Sequence, residues 1–386
     1  MTQPMKLAVV CYPGLGGSGV VASELVNALA ARGHHVHVLS TEVPERLHAS
    51  AGDIFFERIE VPISPVFEHG PYDIAVASRL VDLVRKTPID LFHLHYAVPH
   101  AASALLAGRV LGDAAPAMVT TLHGTDVTRP HPSLHAVTAF ALAACDGVTA
   151  PSSYLRGAAA AQFGIAADRI EVIPNFVDLA RFAPPARRDR TAGLTALFPA
   201  GTDDGPILFH VSNFRPIKRT LDLVDMLAVV RKSVPARVVL VGDGPERAAV
   251  EARAQALGLA DAMCFLGRRD DFTALLAHAD GFVLPSESEG FGVAALEAMA
   301  SGVPVFGYLV GGLPEVVVPG TGVLVPCCDV EALAAAVVVG VRHREVRDEA
   351  GQAARARAEA AFGCEAAVDR YESYFRSVLA RRAKAA

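Results

Sequence analysis

Two glutamates, Glu289 and Glu297, are separated by seven residues in "LPSESEGFGVAALEAMASGVPVFGYLVGGLPEVV", 284–317. The first precedes Gly290-Phe291-Gly292, where a helix is predicted to begin, and the second falls two turns along it. Free N–H groups in a helix's first turn, together with its dipole, suit an anionic or hydroxyl-rich ligand. Carboxylates accept strongly from sugar hydroxyls, so a glutamate toward each end of a sugar nucleotide makes chemical sense. Spacing alone equally allows Glu289 to be a helix-start acid and Glu297 part of a solvated face. The neighbouring segments shift that balance. "SNFRPIKR" (212–219) leaves a strand with Arg215, Lys218 and Arg219 close together. "VGDGPE" (241–246) puts Gly242 and Gly244 at a strand end, suited to close approach of a flat ring or ribose. "GGLPE" (311–315) is a further turn that exposes backbone near a helix start. Strand-end glycines beside phosphate-directed cations describe a nucleotide-diphosphate site.

A second glycine cluster lies near the N-terminus. "CYPGLGGSGVVASEL" (11–25) holds Gly14-x-Gly16-x-x-Gly19 between a short apolar run and a helical stretch, the spacing of a dinucleotide fingerprint. That reading needs an acid at the end of the next strand to hold ribose hydroxyls. The next strand, "HVHVLST", ends in Ser40 and Thr41, and Glu42 comes late. Two other readings stand beside a nicotinamide site: a tight turn that needs glycine for its backbone, or a loop whose Gly16 and Gly17 approach a ligand held mainly by another domain.

The elements that must position these groups alternate. "KLAVVCY", "HVHVLST", "DLFHLHY", "AMVTTLH" and "GVTAPS" read as strands, with alanine-rich helical stretches at 18–32, 72–86 and 99–111. After a proline- and charge-rich stretch, "ILFHVSNF", "ARVVLVGDG", "AMCFLGR", "GFVLPS" and "PVFGY" repeat the pattern. Such alternation predicts an α/β chain with two Rossmann-like doubly wound parallel sheets. The expected divisions are 1–175, a connection at 176–206, 207–364, and a helix at 365–386 packing back toward the first domain. The two domains are expected to face each other across a cleft. A length of 386 residues, 52% hydrophobic and 20% charged, suits two packed cores. Net charge −6 argues against broad nucleic-acid binding. The longest apolar runs fall short of the roughly 18–20 residues a bilayer span needs, and the N-terminal one is short for a signal peptide. A cytoplasmic protein is expected. The six cysteines show no zinc spacing and read as buried apolar residues, with adjacent Cys327 and Cys328 near a surface loop.

The glutamate pair resembles the Glu-seven-residues-Glu motif of retaining glycosyltransferase family 4, whose members have the GT-B architecture. "CYPGLGGSGVVASEL", "FHLHYAVPHA", "TTLHGTDVT", "IPNFVD" and "HVSNFRPIKR" look like the members that move GlcNAc from UDP-GlcNAc to the hydroxyl of L-malate in bacillithiol biosynthesis. The resemblance implies that Glu297 binds the uridine ribose. It gives Glu289, with the backbone of Gly290, Phe291 and Gly292, the sugar's 3- and 4-hydroxyls, and Lys218 the diphosphate. His123 would contact the transferred sugar, and Gly16 and Gly17 would bring backbone N–H groups to the diphosphate and acceptor. Many members place an arginine where Asn213 stands, which leaves Arg215 or Arg219 to replace its charge. Gly242, Gly244 and Arg268 complete the donor set. For the acceptor, Ser18, Tyr96 and Thr121 supply hydroxyls and Arg79 is the candidate cation. The resemblance further implies front-face substitution, no metal or other cofactor, and a homodimer. His69, His131 and His135 receive no role. Other family 4 acceptors, such as a sugar, an inositol phosphate or a lipid-linked glycan, and a nicotinamide oxidoreductase are the competing readings.

Overall fold

The computed structural model describes residues 3–14, 16–48, 52–62, 70–185, 194–199 and 205–385. The chain divides into two compact units, Met1–Asn175 with Cys364–Ala386, and Phe176–Gly363.

The first unit is built on seven parallel strands: β1 Lys6–Val10, β2 His35–Ser40, β3 Ile54–Arg58, β4 Leu91–His95, β5 Ala117–Thr121, β6 Gly147–Ala150 and β7 Ile170–Val172. Their order is β3-β2-β1-β4-β5-β6-β7. Val9 lies beside Val38 of β2 on one side and His93 of β4 on the other. The central strands are buried along almost their whole length, as a parallel sheet covered by helices on both faces requires. The chain runs outward from β1 to β2 and β3, then returns to lay β4 on the opposite side of β1. The loops leaving β1 and β4 therefore diverge, which is where open α/β sheets bind ligands.

The helix Cys364–Ala385 completes this unit. The Tyr374 hydroxyl donates to the Val148 carbonyl at 3.1 Å and accepts from its N–H at 3.0 Å. Tyr371 and Phe375, both buried, pack against the His93 ring at 5.6 and 5.1 Å. Arg32 pairs with Glu365, Asp369 and Glu372 of the same helix. Ion pairs near the surface are worth roughly 0.2–1 kcal/mol each, against roughly 1.5–3 kcal/mol for each fully buried aromatic. Apolar packing holds the helix, and the ion pairs set its register.

The second unit has six parallel strands: β8 Ile207–Val211, β9 Arg237–Val241, β10 Met263–Phe265, β11 Gly281–Leu284, β12 Val305–Tyr308 and β13 Gly322–Val325. Their order, β10-β9-β8-β11-β12-β13, reverses between β8 and β11. Alternate residues serve opposite faces: Phe209 and Phe282 enter one core, Leu208 and Val283 the other. The stretch 176–206, expected as a connection, instead contributes to this unit's core through Val177, Phe182, Leu194 and Phe198. Its apolar residues are spaced among prolines and charges, which hid them from pattern reading. Residues 186–193 and 200–204 lie outside the described residues. Among the described residues no helix is long and apolar enough to cross a membrane.

Candidate active site

In the second unit the loops leaving β8 and β11 meet through charge. The chain turns at Phe214 and Arg219, with φ of 43° and 47°, around the short turn Pro216–Lys218. This brings the Lys218 ammonium to donate to Glu289 Oε1 at 2.6 Å, with the two side chains 23% and 11% exposed. Two partly buried charges satisfy each other here, which neither could afford alone. The Glu289 loop is held from the other side. Its carbonyl accepts from Gly312 N–H at 2.9 Å, and a Cβ on Gly311 would stand 2.0 Å from that oxygen. Gly311 also has φ of 56°, so only glycine suits this position.

Gly292, at φ 102°, starts the helix Val293–Ala300 without a side-chain cap or a first-turn acid. The first-turn N–H groups of such a helix have no intrahelical partner. The Phe291 side chain is buried edge-on to Phe362 at 5.5 Å, so it anchors the loop and leaves only backbone toward a ligand. Glu297 is 5% exposed, which rules out the solvated-face reading.

The cations sort themselves. Arg219 donates through Nε and a terminal nitrogen to Asp222 at 2.7 and 3.0 Å and stands 3.7 Å from Glu287. Asp222 also accepts from the Tyr308 hydroxyl at 2.7 Å. Arg219 is thus committed to the fold. Arg215 is exposed beside equally exposed Asn213 and has no acidic partner among the described residues. Arg268 is exposed just past β10, two strands from β8 and so about 10 Å away across the sheet.

Gly242 and Gly244 have an internal explanation. A Cβ on either would stand 1.8 Å from the Ser212 carbonyl oxygen or 1.9 Å from that of Asn213. The close approach expected for a ligand is made by the neighbouring loop. Sequence reading missed His210. Its Nδ1–H donates to the Val283 carbonyl and its Nε2 accepts from the Ser212 hydroxyl, each at 2.8 Å. Burial pushes it down to about 4, so a neutral imidazole props the exit of β8.

In the first unit the loops leaving β1 and β4 meet through hydroxyls instead of an ion pair. The Tyr96 hydroxyl, after β4, donates to Ser18 Oγ at 2.9 Å in the glycine loop after β1. Tyr96 has φ of 86°, an uncommon conformation for a non-glycine residue. The Tyr12 ring lies 5.6 Å from Tyr96 and 4.7 Å from His100. His123, after β5, pairs its Nε2 with His95 Nδ1 at 2.9 Å, and its ring lies 4.9 Å from Tyr96. Asp126 Oδ1 accepts from the N–H groups of His123 and Gly124 at 3.2 and 2.8 Å. Burial pushes His123 down to about 3 and Asp126 up to about 6. Sequence reading passed over His95, Tyr12 and Asp126, although "FHLHY", "CYPG" and "HGTD" carried them in plain view.

The glycine loop separates into two kinds of glycine. A Cβ on Gly19 would stand 2.3 Å from the Gly14 carbonyl oxygen, so Gly19 is required by the turn. A Cβ on Gly14 or Gly16 would meet nothing within 4 Å, and Gly16 has φ of −67°. Nothing in the fold asks for glycine at position 16. Gly17 opens the helix Gly17–Ala31.

Two expected acceptor residues are withdrawn. Thr121 is 1% exposed, and its hydroxyl is shared between His93 Nε2 and Thr149 Oγ1, each at 2.7 Å. It belongs to the sheet interior. Arg79 is ion-paired with Glu57 on edge strand β3, a carboxylate that also meets His37 at 3.0 Å. It sits about 10 Å along its helix from Tyr72, the end that reaches His100. The helix turns Arg79 to the outer strand and neutralises it there. His131 and His135 make local contacts with Ser133 and the Gln162 carbonyl, and His69 lies outside the described residues. Among the described residues no group of three or more His, Cys, Asp or Glu side chains is arranged to hold a metal ion.

Two parallel-sheet Rossmann-like domains, each with its polar groups at the strand exits where the order reverses, define a GT-B glycosyltransferase. Residues 15–181 match the model for Glycosyltransferase Family 4, and residues 198–357 match that for Glycosyl transferases group 1. The chain is 37% identical over 378 residues to the N-acetyl-alpha-D-glucosaminyl L-malate synthase of Bacillus anthracis, covering 97% of each chain. It is 31% identical to a Mycobacterium tuberculosis glycogen synthase, covering 90% of this chain and 86% of that one. The chain belongs to the family 4 glycosyltransferases. Its fold is shared with the sucrose-phosphate synthase of Thermosynechococcus elongatus, at TM-score 0.81 and 23% identity over 98% of this chain and all (100%) of that one. The Anabaena protein HepE, solved in complex with UDP-glucose, gives TM-score 0.81 at 20% identity over 97% and 100%.

Proposed function

We propose that this glycosyltransferase moves GlcNAc from UDP-GlcNAc to the hydroxyl of L-malate with retention of the α configuration, the reaction that opens bacillithiol biosynthesis in the cytoplasm. One observation carries the choice of substrates, the 37% identity over 97% of both chains to a GlcNAc–malate synthase. The geometry of each unit supports it in a different way.

Donor binding exchanges partners. The diphosphate takes Lys218 from Glu289, and the freed carboxylate accepts from the sugar's 3- and 4-hydroxyls, while Glu297 binds the ribose. Arg215, the exposed cation without an acidic partner, supplies the charge missing at Asn213. The first-turn N–H groups at Gly292 add their dipole. Charge developing on the leaving phosphate meets donors already in place, so little reorganisation remains for the reaction itself. This set supplies the positive charge the departing UDP needs, and the proposal requires no metal ion.

His123, neutral at pH 7, offers a hydrogen bond to the transferred sugar without adding charge. Ser18 and Tyr96 hold the acceptor, and open Gly16 admits a ligand close to backbone N–H. A double displacement would need a carboxylate beneath the anomeric carbon. The carboxylate nearest His123, Asp126, is occupied by two backbone N–H groups. Front-face substitution, in which the leaving phosphate oxygen takes the malate proton, asks only for positioning.

The test is UDP release from UDP-GlcNAc with L-malate, then with sugars, inositol phosphate or no acceptor. Malate-dependent release is expected, with an α-linked product. Release dependent on another acceptor, with malate inert, overturns the acceptor.

A further inference from the structure

Cys327 and Cys328 are adjacent, both exposed, and outside everything the proposed transfer uses. They follow β13 at the carboxyl edge of the second unit's sheet, just before the helix Val330–Arg342. Their sulfurs stand 3.1 Å apart, and Cys328 has φ of 66°. A residue with a Cβ adopts that conformation only at a cost, so the turn holds the two thiols together against local preference. Cys328 is within electrostatic reach of Arg219 and Tyr308, and Cys327 of Arg219 and Asp222. The dithiol therefore borders the network of Arg219, Asp222 and Tyr308 that closes the Lys218 loop.

We propose that Cys327 and Cys328 form a thiol-exchange site for low-molecular-weight disulfides, and that its closure weakens nucleotide binding by disturbing Arg219. The nucleotide half of this proposal rests on the donor site described above. One cysteine thiolate attacks a sulfur of the small disulfide, forming a mixed disulfide and expelling a thiolate. The neighbouring thiolate then attacks the protein sulfur, forming the Cys327–Cys328 bond and expelling the second thiolate. Two protein thiols are oxidised, one small disulfide is reduced to two thiols, and the two protein protons end on the leaving thiols. Juxtaposition makes the second step intramolecular. Adjacent Cα atoms are about 3.8 Å apart, below the roughly 4.4 Å at which unstrained disulfides begin, so the eight-membered ring is readily reduced.

The reduced protein is incubated with glutathione disulfide, alkylated, and weighed intact and after proteolysis. Loss of two hydrogens at 327–328 without a retained adduct is expected, with full reversal by dithiothreitol. C327S should instead retain a glutathione adduct on Cys328. Wild-type protein that keeps a stable adduct, or keeps both cysteines alkylatable, overturns the exchange site. On oxidation the UDP dissociation constant should rise about fivefold, an effect absent from the C327S/C328S protein. An unchanged constant overturns the coupling to Arg219. Reduced protein that binds no UDP would remove the nucleotide reading and the coupling with it, while the mass result still decides the exchange site.

Discussion

The two units solve the same topological problem with opposite chemistry. In each, strand order reverses once, and a short polar side-chain contact links the loops on either side of the reversal. In the second unit it is an ion pair, Lys218 to Glu289 at 2.6 Å. In the first it is a hydrogen bond between hydroxyls, Tyr96 to Ser18 at 2.9 Å. A charged contact is an exchangeable one. Each partner has a stronger claimant in a ligand that carries both phosphate and hydroxyls, so the pair stores the site's charge without letting it repel or collapse. A neutral contact between half-buried hydroxyls has no charge to exchange, and it shapes a surface instead of holding a counterion in reserve. The difference supports the proposal that the diphosphate binds the second unit.

That contrast is broken most directly at Lys218. Lys218→Ala is expected to lower kcat by about 10²-fold or more, the scale for losing a preorganised electrostatic contact. Glu289→Gln should lower activity by a different route, because it removes a hydroxyl acceptor and leaves the ammonium unpaired. The double variant should then be less damaged than the product of the two single effects, since the residues share one contact. Steady-state kinetics on the four proteins checks this. Near wild-type turnover in Lys218→Ala would remove the ion pair from the mechanism.

The neutral side of the contrast has a signature in acid. Burial pushes His93 and His123 down to about 3 and His100 to about 4, and burial with neighbouring imidazoles pushes His95 well down. In the second unit His210, at about 4, is the single histidine so shifted among the described residues. The unfolded chain takes up protons at these groups near pH 6.5, whereas the folded chain resists until about 3–4. Below 6.5 the unfolded state therefore binds more protons, and stability falls with pH. Asp126, pushed up to about 6, works in the other direction, because its folded carboxyl is protonated first. One carboxyl opposes four imidazoles, each costing up to about 1.4 kcal/mol per pH unit. The first unit should lose protection before the second as pH falls from 6.5 toward 4. Amide hydrogen exchange, read unit by unit, checks this; simultaneous loss, or earlier loss in the second unit, would show that the buried imidazoles do not govern acid stability.

The sequence exposed most of this framework because central strands such as "KLAVV" and "RVVLV" are apolar on both faces and cannot be confused with loops. The edges were harder to read. "IFFER" is part exposed and mixes charge with aromatics, β7 is three residues long, and "GVLV" hides behind prolines. Those omissions had consequences for the site. Glu57 lies on the unread strand β3, so nothing in the sequence showed that Arg79 already had a partner. Lys218 and Glu289 were each legible as charged residues near a strand exit. Their pairing was not, because it joins positions 71 residues apart through the reversal in strand order.

Arg79 gives the gentlest test of the contrast. Were it the acceptor's cation, Arg79→Gln would strip a charge-assisted contact from a small dianion and raise the malate KM by tenfold or more, on the order of 1.5–3 kcal/mol. Held against Glu57 on the outer strand, it should do neither. The variant keeps the length of the side chain, gives up an ion pair that is 28% and 17% exposed, and leaves Tyr96, Ser18 and His123 untouched. Malate KM is expected within about twofold of wild type, with a stability loss of about 1 kcal/mol or less. Measuring both in one preparation separates the outcomes, since a large change in KM at unchanged stability would return Arg79 to the acceptor and give the first unit a binding cation where its loops meet through hydroxyls.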